Sequence, residues 1–167
     1  MEPVAGDRAN RQTVDFADLL TEAILSTRSD AIVATDRDGN IRFWNPGAER
    51  VFGHSRRDAV EHSLDLIIPE RLRQRHWQGF TNVMRSGQSR YGEGDLLSVP
   101  ALRNDGTTLS VQFTISLLRK AGEMVGMAAI IRDVTKQFQE TRALKRALSS
   151  QQQPMPADAL DRPATQK

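Results

Sequence analysis

The chain has 167 residues, 38% of them hydrophobic and 26% charged, which suits one domain with its own core plus tails. Its 23 Lys and Arg against 21 Asp and Glu leave a net charge of +2, spread along the chain rather than bunched, which argues against nucleic acid as a partner. With no cysteine, disulfides, thiolate metal sites and thiol catalysis are excluded. No run approaches the roughly 18 apolar residues of a membrane span, and Met1-Glu2-Pro3-Val4 lacks the basic-then-apolar layout of a signal peptide. A soluble, cytoplasmic protein with no membrane partner is expected.

Residues 1–13 and 151–167 are polar and aperiodic, so both ends read as disordered tails. Phe16, Leu19, Leu20, Ala23 and Ile24 recur at helical spacing behind Asp15, a suitable N-cap, which predicts a flanking helix within 14–28 that runs to about Thr27. Ala31 to Thr35 and Ile41 to Trp44 flank Asp36-Arg37-Asp38-Gly39-Asn40, the pattern of a β-hairpin turning at Gly39. Asn45-Pro46 supplies a cap and a first-turn proline for a short helix that buries Ala48, Val51 and Phe52 and stops at Gly53. Ser55-Arg56-Arg57-Asp58 opens a second short helix with a capping box.

A longer helix is predicted from Pro69, at its first position, to Gly87, the residue after its C-cap. Leu96 to Leu102, a turn at Arg103-Asn104-Asp105-Gly106, and an alternating run from Leu109 to Leu117 give two further strands. Met124 to Ile131 is nearly continuous in apolar residues and fits a central strand. Short turns between neighbours make the sheet antiparallel, with helices gathered on one face. The fold class is therefore α+β over 29–135, followed by a C-terminal flanking helix at 136–150.

This order resembles the PAS family over roughly Asp30 to Thr135. The residues that carry the resemblance are Asp36-Arg37-Asp38-Gly39-Asn40-Ile41, Trp44-Asn45-Pro46-Gly47-Ala48-Glu49-Arg50-Val51-Phe52-Gly53, Arg103-Asn104-Asp105-Gly106-Thr107 and Ile131-Arg132-Asp133-Val134-Thr135. The resemblance implies a five-stranded antiparallel sheet whose flanking helices enclose a small pocket, in a module that senses or binds a partner and does not turn over a substrate. Fold alone names no ligand.

The long helix bears on the ligand. Leu72, His76, Phe80 and Val83 follow at spacings that put His76 in an apolar stripe, and Gly79 lies on the same face, where an internal glycine suits close approach of a flat group. An imidazole beside a bare patch of helix is what an axial ligand to heme iron needs. From periodicity alone the commoner reading is a core histidine donating to a backbone carbonyl. The run Pro69-Glu70-Arg71-Leu72-Arg73-Gln74-Arg75-His76 is similar to the Pro-Glu-x-x-Arg-x-Arg-His segment of the oxygen-sensing heme PAS domains of rhizobial histidine kinases. That likeness implies heme b as cofactor and His76 as its axial metal ligand. Leu72, Gly79, Phe80 and Val83 would line the helix side, and Leu96, Leu97, Phe113, Ile115 and Ala129 the sheet side.

The same subgroup places a gas-binding arginine after a Gly-rich turn. Here that stretch is Gly92-Glu93-Gly94-Asp95-Leu96-Leu97, with no arginine, and the segment from Gly87 to Asp105 is one residue longer. An apolar distal wall without a donor favours CO or NO, or a second protein ligand, over stable oxygen binding. A flavin photoreceptor would need a reactive cysteine. His54 and His62 lack metal-binding companions and read as surface residues. No phosphate-binding loop, activated nucleophile, kinase or cyclase signature is present, so no enzyme is expected.

The expected function is sensing of a diatomic gas, redox state or other small ligand. The signal would pass through the flanking helices to a homodimer partner, or to a separate kinase or regulator. The alternative is a heme-free module for protein association or for another small ligand.

Overall fold

The computed structural model describes residues 15–88 and 96–151. The chain divides after Asp133 into two compact units. The first holds a helix α1 (Phe16–Leu25), strands β1 (Ala31–Asp36) and β2 (Ile41–Trp44), short helices α2 (Pro46–Phe52) and α3 (Arg56–Ala59), a 3-10 turn (Leu64–Leu66) and the long helix α4 (Glu70–Ser86). Strands β3 (Leu97–Leu102), β4 (Thr108–Lys120) and β5 (Glu123–Asp133) complete it. The second unit holds one described helix, α5 (Thr135–Gln151), along which Phe138, Leu144 and Leu148 are exposed.

The strands form one antiparallel sheet in the order β2-β1-β5-β4-β3. β5 is central, as its unbroken apolar run predicts. Ala31, Val33 and Thr35 on β1 face the same side as Ile131, Ala129 and Met127 on β5 and Phe113, Ile115 and Leu117 on β4, to which they are aligned in register. β2 contributes Ile41 and Trp44, three residues apart. A simple strand would put them on opposite faces. The register shift opposite Ala34 and Thr35 leaves Arg42 as the extra residue, so Ile41 pairs with Thr35, Trp44 pairs with Val33, and both reach the core.

The main core lies between this face and α2, α3 and the segment around Ile67, with Trp44, Val51, Phe52, Ile41 and Leu109 almost fully enclosed. Each large side chain so buried contributes about 2 kcal/mol before entropy is counted. Asn45 organises the layer. Its side-chain oxygen accepts from Ala48 N (2.8 Å), capping α2, and from Ile32 N (2.7 Å); its amide donates to Thr27 O (2.9 Å) and Asp30 O (3.1 Å). One buried amide thereby joins the start of α2 to the start of β1. Gly47 makes the junction close enough, since a Cβ there would collide with the carbonyl of Asp30.

Three of the boundaries that differ from expectation have a local cause. Pro69 is the N-cap of α4 rather than its first residue, because its ψ of 134° is extended while its carbonyl already accepts from Leu72 N (2.8 Å). α1 ends at Leu25, where Ser26 N closes on Glu22 O (2.9 Å). β4 continues past Leu117 to Lys120, because Ala121 (φ 50°) and Gly122 (φ 83°) form a two-residue reversal that extends the ladder to Lys120 paired with Glu123. α1 itself buries no residue, and Phe16, Leu19, Leu20 and Ile24 are about half exposed or more. The described residues contain no helix long and apolar enough to cross a membrane.

Candidate functional site

α4 carries the second, smaller core. Phe80 and Met84 on its inner face pack with Met124, and Leu64, Trp77, Leu117 and Met127 close around them. The helix runs seventeen residues without a proline and stops at Gly87, whose φ of 65° lets its N–H turn back to Val83 O (2.8 Å). His76 sits one turn before Phe80, half-buried, with its ring 4.9 Å from Trp77 edge-on and 6.0 Å from Phe80. Its Nδ1 is fully enclosed and has no hydrogen-bond partner among the described residues. Burial pushes its pKa down against the opposing charge of Asp65, so the neutral imidazole, the form with a free lone pair, is favoured.

Trp77 fixes this end of the helix. Its indole N–H donates to Asp65 Oδ1 (2.8 Å), and its ring lies against Gly39, where a Cβ would strike it. Gly39 has a φ of 82° and turns the first hairpin, so the hairpin tip and α4 touch through one glycine and one indole. Arg73 donates to the carbonyls of Ile68 (3.2 Å) and Asp65 (3.1 Å), which commits it to the 3-10 turn. Arg71 and Arg75 are exposed.

Of the residues expected to line a pocket, the structure places Phe80 in the buried cluster and Leu72, His76 and Val83 half-buried on α4. On the sheet, Ile115 pairs with Ala129 and Leu97 with Phe113, all half-buried, with Phe113 and Ala129 packed against the main core. Two residues stand apart. Gly79 is exposed, and a Cβ there would meet nothing within 4 Å, so no described protein group requires glycine at that position. Leu96 precedes the first pair of β3 and is 59% exposed. The Gly92-Glu93-Gly94-Asp95 turn lies outside the described residues.

A shallow open concavity on α4 is lined by Gln74, Trp77, Gln78, Thr81 and Asn82, and none of the expected residues borders it. No group of three or more His, Cys, Asp or Glu able to hold a metal ion occurs among the described residues. His76 is the one histidine on α4, so a metal held there would need its remaining donors from a group other than a protein cluster.

Two residues of this region were not anticipated from the sequence. Thr35 ends the inward series Ala31, Val33, Thr35 and is 4% exposed, with an enclosed hydroxyl that has no partner among the described residues. Trp77 follows His76 and falls three residues before Phe80, a spacing that signals a shared face. His54, expected at the surface, is half-buried with an unpartnered enclosed Nε2, and its backbone carbonyl accepts from Trp44 Nε1 (3.1 Å). His62 is exposed as expected.

An antiparallel sheet in this order, with helices over one face and a second small core under its long helix, defines an α+β domain. Residues 25–138 match the family described as the PAS fold, and the chain belongs to that family. It is a PAS sensory and signalling domain. The chain is 30% identical over 129 residues to the sensor protein FixL of Bradyrhizobium diazoefficiens, covering 77% of this chain and 25% of that protein. It is 24% identical over 133 residues to the oxygen sensor protein DosP of Escherichia coli, covering 80% of this chain and 16% of that one. It thus spans about a quarter or less of these relatives. The crystal structure of a PAS domain from Colwellia psychrerythraea superposes with a TM-score of 0.62 at 23% identity, covering 73% of this chain and 99% of that one.

Proposed function

We propose that this PAS domain is a non-enzymatic, cytoplasmic sensor that holds heme b against α4 with His76 as axial ligand, and that it responds to a diatomic gas or to redox state. The observation that carries the reading is the enclosed, unpartnered Nδ1 of His76 on an imidazole that burial keeps neutral. An orphaned buried nitrogen is costly to a folded protein and is relieved by a bound group. The relationship to FixL and DosP supports the same reading. Leu72, Phe80 and Val83 would form the helix-side wall, and Leu97, Phe113, Ile115 and Ala129 the sheet-side wall. Gly79 and Leu96, both exposed, would contribute at the rim.

When bound, the heme would supply an iron able to bind a diatomic gas. His76 positions it, the apolar walls exclude water, and Trp77 carries displacement of His76 to the first hairpin through Gly39. Signalling requires that the ligand bind two conformations with different affinity. The exposed stripe Phe16, Leu19, Leu20 and Ile24 on α1 and the exposed Phe138, Leu144 and Leu148 on α5 supply apolar surface for pairing with a second copy or docking a separate kinase or regulator. A monomeric mass by light scattering at tens of micromolar would remove the homodimer from this reading.

The test is the absorption spectrum of the purified protein titrated with hemin. A Soret band at one equivalent that His76→Ala abolishes or displaces is expected. No band in the wild type, or one that the variant leaves untouched, overturns the reading and favours a heme-free module for protein association or another small ligand.

A further inference from the structure

We propose that Thr35 is the sheet-side hydrogen-bonding residue of the same site, its hydroxyl donating to an oxygen atom of the small ligand held opposite His76. This inference rests on the reading of His76 as axial ligand and adds a polar contact on the opposite wall. Thr35 is one of two buried polar or charged residues among those described, and the other, Asn45, uses its side chain in four hydrogen bonds. Thr35 uses its hydroxyl in none. A valine would fill the same volume without an orphaned hydroxyl, so the threonine costs the empty domain stability that a bound acceptor would return.

The placement of Thr35 ties that hydroxyl to the site. Ile41, Thr35, Met127 and Leu117 form one cross-strand row on the inner face. Met127 and Leu117 pack into the cluster of Phe80 and Met84 on α4, and Phe80 and Trp77 are the rings that flank His76. The two orphaned atoms, Thr35 Oγ1 and His76 Nδ1, therefore border one apolar cluster, one from the sheet and one from the helix. Within that cluster the Trp77 indole N–H is already committed to Asp65. Among the described residues, Thr35 is the buried polar side chain on this side of the sheet with a hydroxyl free to donate to a ligand oxygen.

The experiment uses the full chain and two variants, Thr35→Val and Thr35→Ser. Ligand-free Thr35→Val is expected to melt above wild type, because the orphaned hydroxyl is gone, whereas Thr35→Ser is not. With hemin loaded, reduced and exposed to carbon monoxide, Thr35→Val is expected to shift the C–O stretch to higher wavenumber than wild type, and Thr35→Ser to restore it. A stretch that is the same in wild type and Thr35→Val, with hemin retained by both, overturns the role of Thr35 and leaves His76 standing. Failure of wild type to retain hemin removes both. A ligand-free Thr35→Val that melts no higher than wild type also counts against the inference, since the hydroxyl then has a partner within the protein.

Discussion

The two cores of this domain are built on opposite terms. Around Asn45 every side-chain hydrogen-bonding position of a buried amide is filled, and the layer holds the largest enclosed side chains, Trp44 and Phe52. Under α4 three buried residues form a thin cluster, and the two polar atoms at its border, on Thr35 and His76, have no partner among the described residues. Satisfied polar groups in a close-packed layer resist local opening, while thin apolar contact and orphaned atoms mark a region that opens more readily. The first region is scaffold, and the second is the one to which our proposal assigns the ligand.

The comparison is broken most severely by Asn45→Ala, which takes the partner from two donors and two acceptors and removes the N-cap of α2. A loss of about 3 kcal/mol is expected, read as a lower urea midpoint. A loss under about 1 kcal/mol would mean that water replaces the amide and that this layer is not the rigid one.

Next in size is Gly39→Ala. A φ of 82° disfavours any Cβ, and this Cβ would enter the Trp77 ring, so the indole must move or the hairpin must shift. About 2 kcal/mol is expected, together with a red shift of Trp77 emission measured in a Trp44→Phe background. Unchanged emission would show that the hairpin tip and α4 are not mechanically joined.

The scaffold was far more legible in the sequence than the site. Asn45-Pro46, Gly53, Gly87 and the alternation from Leu109 to Leu117 encode local geometry, so each was readable from a few neighbouring residues. His76 was readable as a candidate because a motif surrounds it. Thr35 was not, because the run Ala31 to Thr35 shows only parity, and whether an inward hydroxyl has a partner depends on Ile41, Met127 and Leu117, which arrive from three other strands. The role of Gly79 went the other way: its spacing placed it with His76, yet helix periodicity cannot tell the rim of a face from its centre, and it lies exposed. Likewise the bulge at Arg42 was invisible, since only pairing with β1 reveals that Ile41 and Trp44 share a side.

The smallest expected effect sharpens the comparison by titration. Burial lowers the pKa of His76 in the folded protein below the ordinary 6.5, so between that value and the folded pKa the unfolded chain binds a proton that the folded chain does not. Stability from this residue is intact above pH 6.5 and falls as the pH drops through the folded pKa, below which the difference no longer grows. His54 is shifted down by burial as well, opposed by Asp58, and contributes in the same direction. Comparing wild type with His76→Gln cancels that contribution, because His54 is present in both. The melting temperature of wild type relative to the variant should therefore decrease between pH 7.5 and pH 5.5 in ligand-free protein. A difference independent of pH would place the imidazole in water and take the orphaned nitrogen, on which the α4 site rests, out of the core.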